Sequence, residues 1–193
     1  VVSHGYDIAM LQGNWQMTKS TSWNLLVDHR NAPTLQTSNA LNGEAVTSIS
    51  DLLLTLSESE IRDLAVARTP TASLEMLGIT HNLNPVWQIG VDVKHFNFSG
   101  TPASGSLPAI SGTGDIYIYT AQTIASGLFS RRDISVLSLS AITGPTYDGI
   151  SAVISNRSIL RDRWTADVSL RYYTQTDNLD TVMERYSPTL RIG

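Results

Sequence analysis

Strict alternation of apolar and polar residues is the feature that most restricts what this 193-residue chain can fold into. The clearest stretch alternates Trp164, Ala166, Val168, Leu170 and Tyr172 with Arg163, Thr165, Asp167, Ser169 and Arg171. Similar alternation runs over residues 9–17, 87–94 and 185–192. Because successive side chains of a strand point to opposite faces, these segments predict β-strands with one apolar and one polar face.

Less regular segments bring the predicted number of strands to about nine. They lie near residues 22–30, 71–81, 114–126, 132–142 and 148–160. Most are longer than the usual strand of a soluble protein. Ten residues at about 3.3 Å each, tilted, reach roughly 25 Å, which is the height of the apolar band of an outer-membrane barrel. A soluble sandwich predicts shorter strands and denser turns.

The predicted connections alternate in length. Residues 19–21, 82–85 and 127–131 are short links, whereas 31–70 and 99–113 are long. Bacterial barrels combine short turns at one end with long loops at the other. The second long link, rich in Gly, Ser and Pro, predicts a mobile, exposed loop.

Composition excludes several classes of protein. Apolar residues make up 41% and charged residues 16% of the chain, so a disordered tail is excluded. The longest apolar runs have four residues, whereas a membrane-spanning helix needs roughly 20. A net charge of −4 argues against nucleic-acid binding, and the absence of Cys excludes disulfides and thiolate sites.

One segment, 45–68, departs from the alternation and predicts a helical hairpin inserted between two strands. Ser57 and Glu60 have the spacing of a capping box, and Pro70 ends the run. Two interpretations remain open, a lid packed over one end of the sheet and a plug or gate inside a barrel. The candidate plug residues are Leu52, Leu53, Leu56, Glu58, Glu60, Ile61 and Arg62.

The sequence offers no recognisable catalytic motif, and we expect no enzyme activity, cofactor or metal. His81 and His95 flank a hairpin and suit either a metal site or polar strand ends. Polar residues on the strands are candidates to line a path through a barrel: Gln88, Asp92, Asp115, Arg163, Asp167, Ser169 and Arg171. Aromatic residues near strand ends suit a membrane-interface girdle or a soluble core: Tyr6, Trp23, Trp87, Trp164 and Tyr172.

Several stretches resemble the C-terminal barrel of PelB-type outer-membrane proteins, which export the Pel exopolysaccharide of biofilm matrices. They are residues 39–43, 52–53, 61–69, 161–173 and 184–191. The resemblance implies an all-β fold, an antiparallel transmembrane β-barrel of which residues 1–193 form a part. It implies passive transport of a polysaccharide across the outer membrane of a Gram-negative cell. A partly cationic polymer would favour the acidic candidates Asp92, Asp115 and Asp167.

The resemblance also implies partners: the outer-membrane lipid, a tetratricopeptide scaffold preceding Val1 and a periplasmic, PelC-like lipoprotein ring. Since bacterial barrels have an even number of strands, a count of nine leads us to expect further strands beyond this sequence. The alternatives are another outer-membrane barrel, acting as porin or structural anchor, and a soluble all-β binding or adhesion module.

Overall fold

A computed structural model describes residues 8–31, 37–103, 106–161 and 164–193, and confirms the nine predicted strands. The strands are β1 Ile8–Gln16, β2 Thr21–Asn31, β3 Thr71–Asn82, β4 Trp87–Phe98, β5 Gly114–Ser126, β6 Asp133–Thr143, β7 Tyr147–Arg161, β8 Trp164–Asp177 and β9 Val182–Ile192. Their lengths, nine to 15 residues, exceed those of typical soluble strands.

The strands form one antiparallel sheet in simple sequence order, from β1 to β9. Within the described residues the sheet is not closed, and β1 and β9 are its edges. The predicted all-β fold with a partial barrel is therefore confirmed. Each strand pairs with its sequence neighbour because the links between most of them are too short for a crossover.

The two ends of the strands differ in the connections they carry. We call one end the turn edge, with links 17–20, 83–86, 127–132 and 162–163. The other is the insert edge, with links 32–70, 99–113, 144–146 and 178–181. The predicted contrast between short and long links holds for the first five strands and disappears after β6.

The described residues divide into two compact units. One unit contains 26–75, 96–115 and the beginning of β1, and includes the helical insert. The other contains 12–25, 76–95 and 116–193, and includes most of the sheet.

The helical insert has a small apolar core of its own. It comprises helices α1 Ile49–Leu52 and α2 Glu58–Ala67, preceded by a 3₁₀ helix at Thr37–Leu41. The buried side chains at its centre are Ala40, Leu52, Ile61 and Ala65. The predicted helical hairpin is thus confirmed, and no helix among the described residues is long and apolar enough to cross a membrane.

A buried arginine joins the two ends of this insert. Arg68 forms an ion pair with Glu44, with 2.6 Å between Nη2 and Oε1, and donates a second hydrogen bond to the carbonyl of Ala40. The Arg68 side chain is only 7% exposed, so the pair is screened less than a surface ion pair.

The predicted capping box begins α2. The Glu60 N–H donates to Ser57 Oγ, and the Ser57 N–H donates to Glu60 Oε2 at 2.8 Å. Two N–H groups that the first helical turn leaves without helical partners are thereby satisfied. The donors of Ser57 also hold the pKa of the Glu60 carboxyl below its ordinary value of 4.5.

Loss of this cap should loosen α2 in a pH-dependent way. We expect Ser57→Ala to cost the helix about 1 kcal/mol, measured as faster hydrogen exchange of the α2 amides. Because the pKa of Glu60 is lowered by folding, its contribution is complete above about pH 4.5 and is lost as the pH falls through the folded pKa.

The matched variants Glu60→Gln and Glu58→Gln test the assignment. Both remove one carboxylate from the first turn of α2, but only Glu60 belongs to the box. After correction for intrinsic exchange rates, Glu60→Gln should weaken the acid-induced loss of protection and Glu58→Gln should retain it. Equal behaviour of the two variants would assign the effect to general charge at the helix start.

The long link 99–113 is more ordered than its composition predicts. Thr101 and Ile110 exchange two backbone hydrogen bonds of 2.9 Å, and the Ser106 N–H donates to the carbonyl of Gly43. Close approach of the chain explains the glycines, because a Cβ at Gly112 would lie 2.6 Å from the carbonyl oxygen of Phe98. Much of the described link is exposed, as predicted, but its base is a paired structure.

Candidate functional site

The sheet unit turns its apolar side chains towards solvent and its polar side chains towards the more shielded face. On β6, Leu137 and Leu139 are 46% and 51% exposed, whereas Ser138 and Ser140 are half-buried. The same inversion repeats on β4 and β5. A water-soluble sheet with one covered face has the opposite arrangement.

Cross-strand pairing makes the exposed positions into a continuous apolar surface. Leu137 pairs with Ile154, Ile154 with Leu170, and Leu170 with Pro188. We call this surface the apolar face. Among the described residues, Ala125 is the sheet's one buried hydrophobic residue, and the others belong to the helical insert. The sheet therefore has no conventional hydrophobic core within the described chain.

Aromatic residues border the apolar face at two levels. The four tryptophans lie at or near strand ends on the turn edge: Trp15, Trp23, Trp87 and Trp164. Four tyrosines lie further along the strands towards the insert edge: Tyr117, Tyr119, Tyr172 and Tyr186. Tyr172 and Tyr186 contact each other, with ring centroids 4.9 Å apart. From Trp164 to Tyr172 the strand rises about 26 Å.

Three of the five aromatic residues predicted near strand ends lie there. Trp87 and Trp164 are the first residues of β4 and β8, and Trp23 is near the start of β2. Tyr172 lies five residues before the end of β8, at the level of the tyrosines. Tyr6 lies outside the described residues.

The opposite, polar face has rows of mostly hydrogen-bonding side chains. One row runs Gln122, Ser138, Val153, Arg171 and Ser187, as the pairing of β5 to β9 shows. The neighbouring row contains Ser155, Ser169 and Thr189. We call this surface the polar face.

Five of the predicted path residues share the polar face: Gln88, Asp92, Asp167, Ser169 and Arg171. On this side of the sheet, Gly90 of β4 closely approaches Gln122 of β5, since a Cβ on Gly90 would lie 3.2 Å from Gln122 Nε2. Gln88 and Asp92 alternate in phase with Gly90 and therefore lie on the Gln122 side. Arg163 lies outside the described residues.

Asp115 is separated from that group. It is two residues before Tyr117 on β5, and so shares its side of the strand with Tyr117 and Tyr119 rather than with Gln122. Asn97 Nδ2 donates a hydrogen bond of 2.7 Å to Asp115 Oδ1. Asp115 is the second residue of β5, at the end of that strand on the insert edge.

The charges on the polar face are partly paired. Asp92 Oδ1 lies 3.6 Å from Lys94 Nζ, and Asp167 Oδ1 lies 3.5 Å from Arg157 Nε. On the other side of Asp167 the pairing places Arg191. The acidic groups expected to face a cationic polymer are therefore accompanied by basic residues.

Three further arginines, which are not among the predicted path residues, also lie on the polar face: Arg157, Arg185 and Arg191. Alternation alone assigns each to the polar side of its own strand. Their grouping around Asp167 and Arg171 depends on the register of β7, β8 and β9, which the sequence pattern does not specify.

The candidate plug residues have different roles within the insert. Leu52 and Ile61 are buried in its core, and Glu60 caps α2. Leu56 and Arg62 are half-buried, whereas Leu53 and Glu58 are exposed.

The two histidines make separate contacts. His81 Nδ1 lies 2.8 Å from the Thr21 hydroxyl, and the His95 ring stacks on Tyr117 at 4.8 Å. Within the part of the chain that the structure describes, no group of three or more His, Cys, Asp or Glu residues is arranged to hold a metal ion.

Fold and surface together define an all-β protein built as an antiparallel meander with an exposed apolar face. No protein-family model matches the chain, and comparisons with curated proteins and with solved structures find no similar protein.

Proposed function

We propose that this chain forms part of an outer-membrane pore that conducts an exopolysaccharide out of a Gram-negative cell. The observation that carries the proposal is the exposed apolar face bordered by tryptophans at one level and tyrosines at the other. Lipid is the environment in which such a face is stable, since hydrocarbon covers the aliphatic band and the amphipathic rings occupy the interfaces.

The spacing of the aromatic residues agrees with this environment. About 26 Å along a strand, reduced by tilt, corresponds to about 20 Å across the membrane. That is close to the apolar band of an outer-membrane barrel, about 25 Å tall. Short links at the turn edge suit the periplasmic side, which would place the long connections outside the cell.

The polar face supplies the path. Ser155, Ser169 and Thr189 form a row of hydroxyls that can donate to and accept from sugar hydroxyl groups. Transport would be passive, with the driving force supplied by polymer synthesis. A polysaccharide as cargo, the biofilm role, the tetratricopeptide scaffold and the lipoprotein ring are proposed on the resemblance to PelB-type proteins.

Behaviour in detergent tests the membrane assignment. We expect the full-length protein to require detergent for solubility and to change mobility on an SDS gel only after boiling, since a closed barrel resists SDS. Free solubility without detergent would instead favour a soluble all-β module whose apolar face another protein covers. Reconstitution in planar bilayers then separates a pore, which conducts, from a structural anchor, which does not.

A further inference from the structure

The polar face of β7 to β9 carries an excess of positive charge. Its charged side chains on the central rows are Arg157, Asp167, Arg171, Arg185 and Arg191. Four guanidinium groups therefore accompany a single carboxylate. On β4 the neighbouring charges balance, because Asp92 pairs with Lys94.

Among the described residues, Arg171 and Arg185 have no carboxylate opposite them, whereas Arg191 lies opposite Asp167 without forming an ion pair. Asp167 contacts Arg157, and among the described residues no carboxylate lies within ion-pair distance of Arg171, Arg185 or Arg191. Arg171 is flanked across the sheet by Val153 and Ser187. All three side chains are exposed, so the guanidinium groups remain available to a ligand.

The register brings Arg171 and Arg185 close together. Arg185 pairs with Tyr173, which is two residues from Arg171 on β8, so the two arginines are diagonal neighbours on one face. Such positions lie about 7 to 8 Å apart, within reach of long side chains. Two adjacent guanidinium groups offer paired N–H donors matched to carboxylate, sulfate or phosphate oxygens.

We propose that the arginine face, formed by Arg157, Arg171, Arg185 and Arg191, binds anionic groups of the transported polymer. The inference rests on the proposed pore and assigns its substrate class, an acidic glycan bearing carboxylate, sulfate or phosphate groups. It replaces the expectation of a partly cationic polymer, because such a polymer would be repelled by this excess charge. Lipid phosphates would not meet these arginines, which lie on the side opposite the apolar face.

Ion selectivity of the full-length protein in planar bilayers is the first test. We expect chloride to permeate more readily than potassium. The double variant Arg171→Gln/Arg185→Gln should lower the chloride-to-potassium permeability ratio about twofold or more. Arg131→Gln, which removes one positive charge from the β5–β6 link, should leave the ratio unchanged. Retained heat-modifiability on SDS gels verifies that each variant barrel has folded.

Block by defined oligosaccharides identifies the ligand. A galacturonate hexamer should reduce the current at lower concentration than neutral maltohexaose, and added salt should weaken the block. The double variant should raise the blocking concentration about fivefold or more. A sulfated hexamer distinguishes recognition of carboxylate from recognition of any oxyanion.

The outcomes separate the two proposals. Absence of any conductance from folded protein would overturn both. A conducting pore that prefers potassium, or that a chitosan hexamer blocks better than the galacturonate hexamer, would overturn the arginine face alone. So would a double variant that matches the wild type in permeability ratio and in block.

Discussion

Leu137→Arg should destabilise the protein folded in lipid vesicles by about 2–4 kcal/mol, whereas Ser138→Arg, one residue further along β6, should be tolerated. Leu137 lies on the apolar face between Thr123 and Ile154, where lipid would surround the new charge. An arginine in the middle of the lipid-facing band costs about 2–4 kcal/mol. Ser138 lies on the polar face between Gln122 and Val153, where the new guanidinium group would face the proposed water-filled path.

The two variants form a matched pair, since they add the same group to adjacent positions. The folded fraction in vesicles is measured at a series of urea concentrations, from the gel band whose mobility changes only on boiling. The dependence of that fraction on urea gives the free energy of unfolding. We expect the Ser138→Arg variant to lie within about 1 kcal/mol of the wild type. If both variants lose the same stability, or if Ser138→Arg is the worse, the apolar face is not the lipid-facing side.

Removal of the helical insert should give the largest change in conductance. We expect deletion of residues 45–68, bridged by a short Gly-Ser linker, to raise the single-channel conductance of the reconstituted pore. This expectation follows from the plug interpretation of the sequence, in which the insert occludes a water-filled path at rest. The sheet should survive the deletion because, among the described residues, no strand forms a backbone hydrogen bond with residues 45–68.

A second variant disrupts the insert without deleting any residue, and so controls for damage to the sheet caused by the deletion. Ile61→Asp places a charge in the core formed with Ala40, Leu52 and Ala65, and should unfold the insert while leaving the strands intact. It should therefore also raise the conductance, while Asp63→Asn, an exposed change on the same helix, should not. Unchanged conductance in both the deletion and Ile61→Asp, with folded barrels, would establish the insert as a lid without a gating role.

Much of the fold was predictable because strands and helices leave different periods in a sequence. Every predicted strand is present, and the Ser57–Glu60 spacing located the start of α2. The link 99–113 was predicted as mobile because its composition contains no signal for the Thr101–Ile110 pairing. Composition indicates how flexible the backbone is, whereas an isolated β-bridge depends on the pairing of two residues that are separated in the sequence.

The sequence pattern predicts which side of its own strand each candidate residue faces, but not which residues of the neighbouring strands lie beside it. The alternation of β8 correctly grouped Asp167, Ser169 and Arg171 on one side of that strand. It could not show that Arg157 and Arg191 lie on either side of Asp167, since that depends on pairing with β7 and β9. Residue type groups Asp115 with the path residues, although its spacing from Tyr117 indicates the other face.

By itself the sequence determined the strands, the two chemically different sides of each strand and the helical insert. These features follow from local periods, which neighbouring residues specify without reference to the rest of the chain. The tertiary structure decided the register, and with it the apolar face, the two levels of aromatic residues and the charge of the polar face. A shift of one residue in pairing would exchange the faces, so only the assembled sheet fixes which side chains become neighbours.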